Sequence, residues 1–361
     1  MRKRFNPKIT FLTITLTFLI LLTAGCSQET DKPVESLTSQ ATHVVARGDD
    51  SPVPERMPGD GGSASAEGTV MTAGGSTSGA DREKPLPETQ DSDILTMPEA
   101  SGIAVYGNDY VEFDASNLNE GYIMARNISF TTKTLKVIVI GPNDVKYTYN
   151  LNTEGRYEVF PLSEGDGFYN VAIYQNLVQS KYTKVYEATF NVKLEDEFRP
   201  FLLPNQYVSY NADTLLVKKA GELTKGMTST MEIIEVMYNY IVENYSYDTQ
   251  LAANVTTGYL PDLDVFYEKG TGICFDYAAG LTAMLRSAGI PAKLIVGYTG
   301  DDYHAWISTY SKESGWLNAV IYFEGNSWKR LDPTFASGLN SSDDIMDYIE
   351  NDNNYVEKYL Y

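Results

Sequence analysis

The hydrophobic pattern of this chain changes its period once, near residue 215, and that change divides what can fold into two kinds of structure. Before it, short segments alternate apolar and polar residues. VKYTYNL (145–151) places Val145, Tyr147, Tyr149 and Leu151 on one face. YNVAIY (169–174) does the same with Tyr169, Val171 and Ile173, and YEATFNVKL (186–194) with Tyr186, Ala188, Phe190, Val192 and Leu194. A period of two is the signature of half-buried strands. YIMARNISF (122–130) and LKVIVI (135–140) are strand-like too, and GPND, NTEG and EGDG supply turns. Residues 99–205 are therefore expected to form an antiparallel β-sandwich. This region holds no His and no Cys, so it is either a binding and positioning module or a spacer that only packs. EFRPFLLPNQYVSYNADT (197–214), with its prolines and aromatics, is expected to be an ordered connector packed on both sides.

After residue 215 helical spacing takes over. Ser229 and Glu232 fit a capping box, and Ile233, Ile234, Met237, Tyr238, Ile241, Val242 and Tyr245 follow as one apolar stripe. A second helix begins after Gly270 and Gly272, at Cys274. Tyr277, Ala278, Leu281, Met284, Leu285 and Ala288 form its face, Gly289 its stop, and Pro291 follows. AKLIVGY (292–298) and HAWISTY (304–310) read as strands, and AVIYF (319–323) with SWKRLD (327–332) as a hairpin. Helices followed by a run of strands make residues 206–361 an α+β domain.

The first 98 residues are of another kind. Arg2, Lys3, Arg4 and Lys8 precede the apolar run ITFLTITLTFLILLT (9–23), which falls short of the roughly 20 residues that span a bilayer and has the layout of an export signal. It ends in LTAGC (22–26), which resembles a bacterial lipoprotein lipobox, although Thr23 stands where that motif has a leucine-like residue. The resemblance implies that residues 1–26 are a signal peptide and that Cys26 carries lipid. Residues 27–98, rich in Gly, Ser, Pro and acids, read as a disordered tether, with a reach on the order of 45 Å by coil scaling. His43 lies within it. The expected location is extracytoplasmic, anchored to a membrane through the N-terminal lipid.

With 48 acids against 28 bases, the chain has a net charge of −20, which argues against a nucleic-acid partner. Only two cysteines are present, so lipidation of Cys26 leaves one thiol, Cys274, either buried as a small hydrophobe or kept for reactivity. One Cys and the single remaining His, His304, cannot build a closed zinc site, and no cofactor is expected.

A thiol at the start of a helix meets free N–H groups and a dipole that favour the thiolate. A thiolate nucleophile needs a base and a group that orients the base. His304, at a strand start, and Asp332, at a strand end before Pro333, are the residues placed for those roles. The segments GICFDYAAGLTAMLRSAGIPAKLIVGY, YHAWI and WKRLDPTF occur in that order, and they resemble the three core motifs of the transglutaminase-like superfamily over roughly residues 215–340. The resemblance implies an α+β, papain-like core following the sandwich. It assigns Cys274 as nucleophile, His304 as general base and acid, and Asp332 as orienting carboxylate. It implies cysteine-dependent acyl transfer on peptide or isopeptide amides through a thioester, ending on an amine or on water, with hydrolysis slightly favoured because water is abundant in an exposed cleft. The expected substrate is a protein or a cell-wall peptide. Tyr247 and Gln250 are alternative second oxyanion donors beside the Cys274 N–H. Tyr303 and Trp306 flank His304 as cleft walls or as core, and Asp276 and Tyr277 are read as support for the helix start. The alternative from a different class is a catalytically silent scaffold or binding module that keeps the fold.

Overall fold

The computed structural model describes residues 95–300, 302–312, 314–318, 321–324, 327–330 and 355–361. Cys26, His43 and Asp332 lie outside the described residues.

Eight strands come first: β1 (Val105–Gly107), β2 (Val111–Asp114), β3 (Tyr122–Asn127), β4 (Leu135–Ile140), β5 (Lys146–Leu151), β6 (Glu158–Pro161), β7 (Gly167–Val178) and β8 (Lys181–Val192). They form two four-stranded antiparallel sheets, ordered β1-β2-β3-β6 and β5-β4-β7-β8. The sheets face each other. Phe113 of β2 meets Phe190 of β8 edge-on at 6.3 Å, and Tyr149 of β5 meets Phe160 of β6 at 5.2 Å. The alternating residues of the sequence reading supply this core, including Leu135, Val137, Val139, Tyr147, Tyr149, Leu151, Tyr169, Val171 and Ile173. Strands β1, β2 and β6 are additions to that reading. With three or four residues each, they are too short to display a period.

The connector is ordered, with Phe201, Leu203, Tyr207, Val208 and Tyr210 buried. Beyond it come α1 (Leu215–Leu223), α2 (Thr230–Asn244), β9 (Ser246–Tyr247), α3 (Thr249–Asn254), α4 (Leu263–Lys269), β10 (Thr271–Gly272) and α5 (Cys274–Ser287). Ser229 caps α2, its hydroxyl accepting the Glu232 N–H, and the expected stripe from Ile233 to Ile241 is buried. Strands β11 (Ala292–Thr299), β12 (Asp302–Ser311), β13 (Gly315–Asn318), β14 (Ile321–Glu324), β15 (Ser327–Arg330) and β16 (Tyr355–Leu360) complete the order. The sheet β13-β12-β11-β16 is antiparallel, and β14 pairs with β15 as the predicted hairpin. The segment between Ser311 and Val320 is more than a connection, because β13 pairs with β12 with Trp316 opposite Tyr310.

Helix α5 is the centre of this half. Every residue from Cys274 to Arg286 is buried, so the helix is covered on all sides, not only along the stripe read from sequence. Its buried Arg286 donates to three backbone carbonyls, those of Ala292 (2.9 Å), Leu203 (2.6 Å) and Tyr361 (2.6 Å). One guanidinium thus joins α5 to β11, to the connector and to the residue after β16.

The core is continuous across the two halves. Tyr361 packs against Tyr147 and Tyr149 of β5 and stacks on Tyr207 of the connector at 4.0 Å. The Tyr207 hydroxyl donates to the Thr148 carbonyl (3.0 Å), and the Ser163 hydroxyl donates to the Leu360 carbonyl (2.7 Å). The sandwich is therefore structural backing for the helical half.

Candidate active site

Cys274 is the first residue of α5 and is fully buried. Hydrogen bonding within the helix begins with the Tyr277 N–H and the Ile273 carbonyl (3.1 Å), so the helix makes no use of the N–H groups of Cys274, Phe275 and Asp276. The N-cap is Ile273, which has no side-chain acceptor. Asp276 compensates: its carboxylate accepts the Ile273 N–H (2.8 Å) and the Tyr259 hydroxyl (2.7 Å). Burial pushes the Asp276 carboxyl above its ordinary range, and these two donors oppose the shift. The tip is crowded. A Cβ on Gly272 would lie 2.7 Å from the Asp276 Cβ and 2.8 Å from the Phe266 ring, so only glycine lets the chain enter α5 along this path.

Strand β12 lies against α5, and Ala305 and Ile307 belong to the core around the helix. Tyr303 packs there as well. Burial raises its hydroxyl pKa, and Tyr359, Tyr207, Tyr298 and the Cys274 thiol add to the shift. Alternation along the strand turns His304 and Trp306 to the other face. There the two rings stack at 6.2 Å and 19°, and Trp306 packs on Ile295, Tyr355 and Leu360. The buried His304 stands directly opposite Gly297 of β11. Behind the tip, the Phe275 ring lies 5.9 Å from Tyr207 and 6.4 Å from Tyr259.

Residues 217–333, the segment that builds this helix tip and the strand across it, match the Transglutaminase-like superfamily. The chain carries a transglutaminase-like domain. The chain is 26% identical over 205 residues to the uncharacterized protein YebA of Bacillus subtilis (strain 168), an alignment covering 48% of this chain and 26% of YebA. It is 33% identical over 69 residues to the protein-glutamine gamma-glutamyltransferase of Pseudomonas aeruginosa, covering 15% of this chain and 10% of that protein. The alignments thus span about a quarter or less of these curated relatives. Among solved structures, the periplasmic domain of TgpA from Pseudomonas aeruginosa bound to ethylmercury aligns with a TM-score of 0.30 and 15% identity, covering 65% of this chain and 76% of that one.

Within the transglutaminase-like domain the remaining site residues take different positions. Tyr247 is half-buried in β9, paired with Gly272 of β10, two residues before Cys274. Gln250 is exposed on α3. Trp306 is core. Asp276 and Phe275 adjoin Cys274 in the first turn of α5, with Tyr247 on the adjoining two-residue strand. Tyr259 was not singled out from the sequence, since nothing in its local pattern reveals that it reaches Asp276, 17 positions away. Gly297 is the second residue that sequence reasoning passed over. A Cβ there would lie 2.0 Å from the Val356 carbonyl oxygen and 2.8 Å from the Trp306 ring. Gly297→Ala is expected to shift β16 or the ring that stacks on His304, and to lower stability by about 1–3 kcal/mol, as overpacking does. Urea unfolding checks the value, and a neutral result would refute the close approach.

Proposed function

We propose that the transglutaminase-like domain performs cysteine-dependent acyl transfer on peptide or isopeptide amides, with Cys274 as nucleophile. The observation that carries the reading is the position of Cys274 at the first turn of a buried helix whose leading N–H groups are unused by the helix. The Cys274 sulfur adds to the amide carbonyl carbon as His304 takes the thiol proton. The backbone N–H of Cys274 donates to the oxyanion. Collapse expels the amine, which leaves with the proton returned by His304, and a thioester remains. Water or a second amine then attacks the thioester, with hydrolysis the favoured course. Asp332 orients His304 in this scheme. The domain works at the outer face of a membrane, held by lipid on Cys26 and by the tether of residues 27–98, on a protein or cell-wall peptide.

A specific observation favours a second reading, the silent scaffold. Cys274 is fully buried, and His304 shares with Trp306 the face of β12 opposite Ala305 and Ile307. The two readings separate in one experiment on the full chain, iodoacetamide labelling of Cys274 with His304→Ala alongside. If His304 acts on the thiol, the substitution slows labelling by about a hundredfold or more, within the range of general-base effects. Equal and slow labelling of both proteins would assign Cys274 to the core and sink the enzyme reading.

A further inference from the structure

We infer that the end of the sandwich opposite its contacts with β16 docks on an anionic lipid surface, through apolar loop tips flanked by lysines. Four connections meet there; three carry the tips, and the fourth, residues 152–157, reaches toward the helical half, where Arg156 lines a cavity with Pro261 and Asp262. The first residue of β2 pairs with the last of β3, Val111 with Asn127, and the N–H groups of Ile128 and Ser129 donate to the Tyr110 carbonyl (2.8 and 3.2 Å). The first residue of β4 pairs with Gln175 near the end of β7, and the Asn176 N–H donates to the Thr134 carbonyl (2.9 Å). Residues 108–110, 128–134 and the β7–β8 turn therefore form one end. The contacts with β16 lie at the other end, through Tyr147 and Ser163.

The side chains at this end point into solvent although they are apolar. Phe130 is 96% exposed, Val178 59%, Tyr110 58%, Leu177 50% and Ile128 45%. They come from separate loops and project from an end, not from a groove, and an apolar cluster of this kind marks an interaction site. Charge selects the occupant. The chain carries −20 overall, which repels an anionic bilayer. Yet residues 108–110, 128–134 and 177–182 hold Lys133 and Lys181 against the single acid Asp109, and the fourth connection adds Arg156 ion-paired with Glu154, leaving the lysines in excess. Neither lysine forms an ion pair among the described residues. Apolar and aromatic tips with adjacent lysines suit the boundary between anionic headgroups and acyl chains. A protein held to a membrane by a long tether would gain a fixed orientation from such a contact.

The test uses the full chain reconstituted into vesicles that contain brominated phosphatidylglycerol. Phe130→Trp places a reporter at the tip. Phe168→Trp, 68% exposed and at the opposite end of β7, is the control. The fluorescence added at position 130 should be quenched at least about twofold more than that added at 168, as expected for a tip sunk to the headgroup boundary. The excess should fall in brominated phosphatidylcholine and with Lys133→Glu combined with Lys181→Glu. Equal quenching at the two positions would overturn the inference. So would a concentration-dependent dimer abolished by Phe130→Asp, which would assign the patch to a second copy of the chain.

Discussion

Arg286→Met should destabilise the folded chain by about 3–5 kcal/mol, the loss expected when one side of a buried charged network is removed. The methionine keeps the apolar stem but leaves carbonyls of the connector, of the α5–β11 junction and of Tyr361 without their donor. Of the three, the Tyr361 carbonyl retains another partner, the Leu294 N–H at 2.8 Å, so the loss concentrates at Leu203 and Ala292. Burial pulls the guanidinium pKa down to about 10. It is therefore charged in both folded and unfolded chains across neutral pH, and the destabilisation should be flat between about pH 6 and 9. Above pH 10 the folded chain releases the proton before the unfolded one does, so the desolvation penalty eases and the difference between the proteins changes. Arg286→Lys should recover only part of the loss, because a single ammonium cannot reproduce a planar fork aimed at three acceptors. Urea unfolding of the three proteins measures this, and a methionine variant within about 1 kcal/mol of the parent would refute the clamp.

Such a clamp was invisible in the sequence, where Arg286 is one cation near a helix end and the expected place for it is solvent. Elements with enough length to show a period were legible: β4, β5, β7, β8, α2, α5, β11 and β12 fall where alternation or helical spacing places them. The sandwich and the α+β half follow from the same patterns. The helix start was legible because Gly272, Cys274 and Asp276 are local to one another, and the fold uses them locally. What escaped were relations across long separations, such as Tyr259 with Asp276, Ser163 with Leu360 and Tyr149 with Tyr361. The direction of His304 escaped for a different reason. Neighbouring strand residues face opposite sides, so the step from Tyr303 to His304 decides which side chain shares a face with Trp306. Sequence alone marks the strand and leaves that parity open.

The larger effect belongs to the sandwich. Residues 206–361 produced without residues 95–205 should show no cooperative thermal transition, and the sandwich produced without its neighbour should fare little better. Tyr207 and Tyr361 would lose Tyr147 and Tyr149 as cover, and the Ser163–Leu360 and Tyr207–Thr148 hydrogen bonds would be lost. Aromatic side chains bury about 150–250 Å² each, so uncovering Tyr207 and Tyr361 in the isolated half forfeits up to the order of 10 kcal/mol. A domain of this kind holds only about 5–15 kcal/mol in total, so the loss is comparable to the whole stability of the isolated half. The consequence reaches the site, because Tyr207 touches Phe275, the residue after Cys274, and Tyr361 takes the Arg286 guanidinium from the same helix. Differential scanning calorimetry of the full chain and the two halves decides it. A sharp transition from residues 206–361 alone, near the temperature of the whole chain, would return the sandwich to the status of a spacer. Its absence would make the sandwich a part of the fold that sets Cys274 in place.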